Sequence, residues 1–443
     1  MKTVKTAVCL LIAVLLAAAV PAFASGAKQY DGHDAAALSA FFEQAGPDGV
    51  KNGEKLFEGY APDDPASWKG RSDLVDDRPE RIIWNGEGKA VKLALGCRDA
   101  DLFGTLDVSG FSALTELECG NGRLTALIAA GCGSLQIIEA GGNEIASADL
   151  SGCTDLRELR MSDNKLSSID LTSCKGSLVT LILSNNEFEN FDLTGMDLLK
   201  DLVIDGNRLT SLTVPAENDI YMIRAENNGL RELELQGGVR VLSLGGNPIE
   251  KLDLSACTEL ETIAFYNCPL KELVINKDGE TTSIVTEGGT FSGRIELNTY
   301  AGETDEETSD MLSIEGVPEE GYEFRGVFDA EGELVCAPGA WRYMDKLPEG
   351  TLTAVFERTT PEETEAPTEA PTEAPTEAPE ETEAPAETAE PVPISEEGTP
   401  APDEPDGEIN GSGKKAWPIV LAAVCAAAVC AAIVTATVKR RKK

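Results

Sequence analysis

Apolar residues recur at a fixed interval through the middle of the chain, and this repeat determines the predicted fold. Each unit reads LxxLxLxxNxL and is followed by a segment of the form LxxLDLSxC. The units begin 21, 21, 22, 21, 21, 19 and 21 residues apart, at Leu114, Leu135, Leu156, Leu178, Leu199, Ile220, Val239 and Leu260. A unit this short cannot bury its apolar side alone, so the pattern predicts a leucine-rich-repeat solenoid with one shared core.

Each unit is predicted to contribute one short strand, because the apolar residues of its LxLxx segment alternate with polar ones. Stacked units then place these strands side by side in a parallel sheet. The second half of the unit also alternates, which predicts a second strand-like row or 3₁₀ turns and little helix at Ala148-Asp149-Leu150, Ile169-Asp170-Leu171, Phe191-Asp192-Leu193 and Leu252-Asp253-Leu254.

An asparagine marks the bend that follows each predicted strand. The position holds Gly122, Asn143, Asn164, Asn186, Asn207, Asn228, Asn247 and Cys268. A side-chain amide has both donors and an acceptor, so we expect it to satisfy backbone groups that the bend leaves unpaired.

Residues 1–24 have the features of a secretory signal peptide. Lys2 and Lys5 precede a short apolar run, and Ala22-Phe23-Ala24 forms an A-x-A cleavage site. The apolar run is too short for a membrane span. The mature chain is therefore expected to begin at Ser25.

Residues 414–438 are predicted to form a single transmembrane helix. Ala416 to Val438 is an uncharged run of 23 residues, long enough to cross a hydrocarbon core of ~30 Å. The basic residues 439–443 should stay in the cytoplasm, which places residues 25–413 outside. Since no sortase signal precedes the span, we expect a retained membrane anchor.

A low-complexity stretch, residues 359–413, lies between the predicted fold and the anchor. It repeats Thr-Glu-Ala-Pro and contains 11 prolines and 17 acidic residues but neither Lys nor Arg. Frequent proline and like charges keep such a chain extended, with a reach on the order of 170 Å at ~3.1 Å per residue. This composition predicts a disordered spacer.

Composition excludes several classes of function. The net charge of −40 leaves no basic surface to neutralise the phosphates of a nucleic acid. The single histidine, His33, argues against catalytic triads and His-rich zinc sites. Three acidic pairs near the amino end lack the spacing of calcium loops: Asp31/Asp34, Asp63/Asp64 and Asp76/Asp77. No enzyme activity, cofactor or metal is expected.

The extracellular cysteines allow two interpretations. An extracellular location favours disulfides. Cys132, Cys153, Cys174 and Cys257, however, fill the same position of their units, where other units have Phe111 or Met196. Buried free cysteine behaves as a small apolar residue, so the sequence favours a ladder of buried thiols over disulfides.

The array resembles the leucine-rich repeats of bacterial surface proteins, notably the cysteine-containing 21-residue repeats of the internalins. The likeness rests on the repeat itself and on its entry around Ile83-Trp84-Asn85 and Val91-Lys92-Leu93-Ala94-Leu95. It implies a helical N-terminal cap at residues 25–89 and repeats at 90–280. Residues 281–358 form a small β-rich domain in this interpretation, similar around Gly321–Asp329 and Leu352–Glu357 to a surface repeat of β-grasp form.

On such an array the outward strand positions form a continuous concave face. These positions are acidic in the first units, at Glu116, Glu118, Glu139 and Glu158. Later units place there the candidate ligand-binding residues Ile182, Val203, Met222, Arg224, Val241 and Tyr266. The alternative is a solvated sheet with scattered apolar side chains.

The sequence thus predicts an adhesin-like protein, anchored in the membrane of a Gram-positive-type bacterium, that binds a protein or glycan. The alternative is a structural component of the cell envelope that acts through self-association. Only five residues follow the predicted span, which argues against a signalling receptor. The ligand itself is not identified by the repeat, because one scaffold serves many partners.

The repeat register is tested by truncating one of its inward leucines. Leu159→Ala should lower the free energy of unfolding by about 2–5 kcal/mol, because it removes a buried side chain and leaves a cavity. Thermal unfolding followed by circular dichroism measures the change. An unaltered midpoint would contradict the register.

Overall fold

The computed structural model describes residues 29–74, 78–277, 279–300 and 308–359. The predicted signal peptide, the spacer beyond residue 359 and the predicted anchor with its tail lie outside these residues. Within the described part of the chain, no helix is both long and apolar enough to cross a membrane.

Among the described residues, two α-helices and a 3₁₀ turn precede the repeats: α1 (Gly32–Phe42), α2 (Asn52–Leu56) and Pro65–Ser67. Leu38, Phe41 and Phe42 of α1 are buried. The Asn52 side chain donates a hydrogen bond to the Phe103 carbonyl at 2.8 Å and accepts one from the Phe103 amide at 3.0 Å. The helices are therefore fixed against the first turn of the array, where the sequence predicts a cap.

The remaining described chain contains 24 strands. In chain order they are β1 (Ile82–Trp84), β2 (Ala90–Ala94), β3 (Phe103–Asp107), β4 (Glu116–Glu118), β5 (Arg123–Ile128), β6 (Ile137–Glu139), β7 (Ser147–Asp149), β8 (Glu158–Arg160), β9 (Thr180–Ile182), β10 (Asp201–Val203), β11 (Ser211–Val214), β12 (Asp219–Arg224), β13 (Glu232–Leu235), β14 (Gly238–Ser243), β15 (Lys251–Leu254), β16 (Thr262–Ala264), β17 (Glu272–Lys277), β18 (Glu280–Glu287), β19 (Gly289–Tyr300), β20 (Thr308–Pro318), β21 (Tyr322–Phe328), β22 (Leu334–Cys336), β23 (Arg342–Met344) and β24 (Gly350–Arg358).

Thirteen of these strands form one sheet, here called the front sheet. Their order is β1-β2-β4-β6-β8-β9-β10-β12-β14-β16-β19-β20-β23. Neighbours from β2 to β16 are parallel. By contrast, β1 pairs antiparallel with β2, and β19 pairs antiparallel with β16. The parallel repeat solenoid predicted from the sequence is confirmed, and its sheet continues beyond the repeats.

Behind the front sheet lie three shorter groups of strands, formed by the second halves of units and, in the largest group, also by strands after residue 280. Their orders are β3-β5-β7, β11-β13 and β15-β17-β18-β24-β21-β22. The predicted strand-like row is confirmed at Ala148 in β7 and Leu252 in β15. It is wrong at residues 169–171 and 191–193, which form neither a strand nor a 3₁₀ turn.

One cluster of buried side chains runs through the structure from Leu38 to Phe356. Residues after 280 join it because β18 pairs with β17 and β19 pairs with β16. This stretch is β-rich, as predicted, and its strands extend both the front sheet and the rear strands of the array. Its β-grasp form stays a prediction.

The repeated asparagines join each turn of the solenoid to the turn before it. The side-chain nitrogen of Asn164 donates to the carbonyls of Ala140 (3.0 Å) and Met161 (3.1 Å), and its oxygen accepts from the amide of Ile145 (2.9 Å). The same three-bond pattern recurs at Asn143, Asn186, Asn207, Asn228 and Asn247. The predicted role of this position is confirmed.

Asn164→Ala should lower the free energy of unfolding by about 2–4 kcal/mol, because it leaves several buried backbone groups without partners. Urea unfolding measures the change. Asn190→Ala is the matched control, since Asn190 is exposed. Equal stability of the two variants would contradict a structural role for the asparagine ladder.

Candidate binding surface

The front face is the side of the front sheet that is turned away from the core. Two rows of outward side chains cross it in strand register, and all of them except the buried Ala94 are at least partly exposed. The first row is Lys92, Glu116, Ile137, Glu158, Thr180, Asp201, Met222, Val241 and Thr262. The second row is Ala94, Glu118, Glu139, Arg160, Ile182, Val203, Arg224, Ser243 and Ala264. Because every strand is paired on both sides, the spacing within a row is fixed at ~4.8 Å.

The structure brings the six predicted ligand-binding residues to this face. Ile182, Val203 and Arg224 are consecutive in the second row. Met222 and Val241 are consecutive in the first row. All five are half-buried. The sixth, Tyr266, follows β16 and is more exposed.

The acidic end of the front face is neutralised by basic side chains. Lys92 contacts Glu116 and, at 2.8 Å, Glu118, while Arg78 also pairs with Glu118. Burial opposes ionisation of Glu118, but its bonds to Lys92 and Arg78 hold its pKa below the usual range. The carboxylates of the first units are therefore engaged within the protein.

A second basic residue acts in the same way further along the face. Arg160 contacts Glu158 at 2.9 Å and Glu139 at 3.7 Å. Sequence reasoning missed these ion pairs, although Lys92 and Arg160 occupy row positions that the repeat register reveals. Arg78 lies in the cap, outside the repeat, so nothing periodic signals its role.

Arg224 is held by an acidic neighbour. Its guanidinium lies 3.0 Å from a carboxylate oxygen of Asp205 and 4.0 Å from one of Glu226. Burial raises the pKa of Asp205, and the charge of Arg224 opposes that shift. In the second row, the candidate apolar residues Ile182 and Val203 are therefore followed by Arg224, a charged residue whose guanidinium is held in one orientation.

The front face continues past the repeats. Thr262 pairs with Glu296, Glu296 with Met311, and Met311 with Tyr343, so the register of the first row extends onto β19, β20 and β23. Met311 itself is buried. Sequence reasoning missed this extension because the period fails after Ile275. The exposed side chains Tyr343 and Trp341 were consequently not among the predicted site residues.

The eight cysteines of the described chain are all buried and free, which confirms the thiol interpretation over disulfides. The Cys132 thiol donates to the Val108 carbonyl at 3.0 Å, and the Cys153 thiol donates to the Ala129 carbonyl at 3.2 Å. The thiols of Cys132 and Cys153 therefore each contact the preceding turn. Cys268, at the asparagine position, bonds the Leu244 carbonyl at 3.2 Å in the same way.

These thiols make stability fall at alkaline pH. Burial raises the pKa of Cys132 to about 12 and that of Cys153, Cys174 and Cys257 to about 11, from an ordinary 9.0. Above pH ~9 the unfolded chain ionises first and the native thiols do not, so the free energy of unfolding should decrease as pH rises. Urea unfolding from pH 8 to 11 measures this. Cys153→Ala should show a shallower decline, and an identical slope would contradict the burial.

Asp31, His33 and Asp34 bring three potential metal-ligand atoms within 4.8 Å of one another. Each of the two carboxylates already serves the fold. Asp31 accepts the amides of His33 and Asp34 at the start of α1, and Asp34 accepts the Ala90 amide at 3.0 Å. The group is therefore explained by helix capping and by attachment of α1 to β2.

No protein-family model and no curated protein matches the chain. Among solved structures, the chain is similar to the functional domain of InlJ from Listeria monocytogenes, which is described as including a cysteine ladder. The identity is 20% and the TM-score 0.29, and the match covers 38% of this chain and 47% of that one. This chain's own strands form the repeat solenoid that its sequence predicts.

Proposed function

We propose that this chain is an extracellular, non-enzymatic binding protein that recognises a protein or glycan through its front face. The observation that carries the proposal is the alignment of Ile182, Val203 and Arg224 on adjacent strands, beside Met222 and Val241. Aligned apolar side chains on a rigid sheet, bordered by a charge, provide both contact area and orientation for a partner.

The surroundings of these residues support a binding role. The ion pairs of Lys92, Arg160 and Arg224 fix the polar side chains of the front face. These side chains are therefore already ordered before a partner binds. A preorganised surface loses less entropy when it associates. A partner would therefore meet one defined arrangement of side chains.

The predicted signal peptide, spacer and anchor define the setting of the proposal. Cleavage after residue 24 and a span at 414–438 would hold the repeats outside a bacterial cell membrane. The spacer at 359–413 would carry them away from the membrane surface through a Gram-positive-type cell wall. In that setting, the chain acts as an adhesin-like protein.

The alternative function is a structural one, in which the array packs against copies of itself in the cell envelope. Leu334 of β22 and Val317 of β20 are 50% and 61% exposed, near the last strands of the two large sheets. Apolar groups at sheet ends are suited to contact between neighbouring molecules. Sedimentation of the full-length chain separates the two functions, because micromolar self-association favours the structural one.

The binding role is tested with the double variant Met222→Ala and Tyr266→Ala. A partner is first captured by the full-length chain from host-cell and bacterial extracts, then identified and purified. The double variant should bind it at least about 10-fold more weakly, because it loses two central contacts. Leu334→Ala is the control and should bind normally. Unaltered binding by the double variant would contradict a site on the front face.

A further inference from the structure

A lysine and an aspartate meet inside the protein just beyond the repeats. Lys277 is the last residue of β17, one of the rear strands, and Asp310 lies on β20 in the front sheet. The Nζ of Lys277 contacts the Oδ1 of Asp310, and the two side chains are 12% and 0% exposed. By contrast, the neighbouring Lys271 pairs with Glu250 where both side chains are exposed. The contact of Lys277 with Asp310 therefore joins the rear strands to the front sheet through the interior.

The second oxygen of the same carboxyl group is held by the backbone. The amide of Leu347 donates a buried hydrogen bond of 2.7 Å to the Oδ2 of Asp310. Leu347 lies in the loop between β23 and β24, and its side chain is also buried. The Thr282 hydroxyl donates a bond of 2.7 Å to the Pro348 carbonyl and so fixes this loop to β18. The carboxyl group is thus oriented between an amine and a main-chain donor.

Burial brings the two groups close to the chemistry of amide formation. Removal from water costs an ion pair the hydration of both its charges. Transfer of one proton from the ammonium group to the carboxylate leaves an amine beside a carboxylic acid, the two groups that condense to an amide. Contact within one protein corresponds to an effective concentration on the order of 10⁵ M or more. Exclusion of water also opposes hydrolysis of the product.

We propose that Lys277 and Asp310 form an intramolecular isopeptide bond. The Nζ of Lys277 attacks the Cγ of Asp310, and the Leu347 amide stabilises the negative charge that develops on Oδ2. The bond from Cγ to Oδ1 then breaks. Of the three hydrogens on the ammonium group, two leave with Oδ1 as water and one remains on the new amide nitrogen. The reaction is a condensation, so it consumes no oxidant or reductant.

The bond would fasten the strands that close the array. The segment between its two ends contains β18 and β19, which pair with β17 and β16 at the last repeats. A covalent link between residues 277 and 310 keeps this segment a closed loop even in the unfolded chain. Fewer unfolded conformations are then available, which stabilises the folded state.

Peptide mapping of the full-length chain tests the proposal. A protease that cleaves after glutamate releases residues 273–280, which contain Lys277, and residues 308–315, which contain Asp310. The two peptides should be recovered as one branched species whose mass is their sum less one water. Tandem mass spectrometry should place the branch at Lys277. Because the two segments are not adjacent in the sequence, incomplete cleavage cannot produce this mass.

Two variants prevent the bond, and a third is the matched control. Lys277→Arg keeps the positive charge, but a guanidinium group stays protonated and does not act as the nucleophile. Asp310→Ala removes the carboxyl group. Both should yield the two peptides separately, and Lys277→Arg should lower the Tm by about 5 °C or more, because its unfolded chain has no closed loop. Lys271→Arg changes the neighbouring exposed lysine and should keep both the branched peptide and the Tm.

Recovery of the two unmodified peptides alone from the parent chain would overturn the proposal, and Lys277 and Asp310 would then be an ordinary buried ion pair. A branched species that persists in Lys277→Arg also overturns it, because the link would then start from another residue. A branched peptide that is present in the parent chain and in Lys271→Arg, and absent from Lys277→Arg and Asp310→Ala, supports it. The parent chain itself gives the decisive mass, so the test does not depend on the folding of any variant.

Discussion

The bend at the end of each front strand imposes the constraint on which the array depends. There the chain turns inward and buries backbone groups that cannot reach water, so each group requires a partner. The residue just before the bend position takes a positive φ, as at Asp163 (56°), Asn185 (55°) and Gly206 (64°). The following asparagine then reaches two carbonyls and one amide. Gly, Asn and Asp tolerate this backbone conformation best, which explains the composition of the preceding position.

The asparagine bonds also determine what the front face can be. Because Asn164 joins its own turn to Ala140 and Ile145 of the preceding turn, successive strands cannot shift relative to one another. Side chains on the outer side consequently stand in rows, and ion pairs such as Arg160 with Glu158 form between fixed positions. Replacing outward side chains within a row would therefore change which ligand the surface recognises, while the backbone stays the same.

Periodicity explains which features the sequence could predict. The strands, the role of Asn164, the buried thiol of Cys153 and the outward position of Ile182 all repeat, so each is indicated several times. Contacts that occur once leave no such signal. Arg78 reaches Glu118 from the cap across 40 positions in the chain. The lack of a strand at residues 169–171 leaves no such signal either, because the sequence alternates there as it does at Ala148 in β7.

The strands beyond the repeats have two roles, because they cover the last turn of the array and also extend its front face. A solenoid must cover its last turn, because the edges of β16 and β17 would otherwise be left unpaired. Here β19 and β18 pair with those two edges, antiparallel in both cases, and Phe291 of β19 is buried in the common core. The same pairing prolongs the front face to Tyr343. Residues that close the core thus also supply outward side chains, and any ligand that covers the last repeats also contacts the strands that close them.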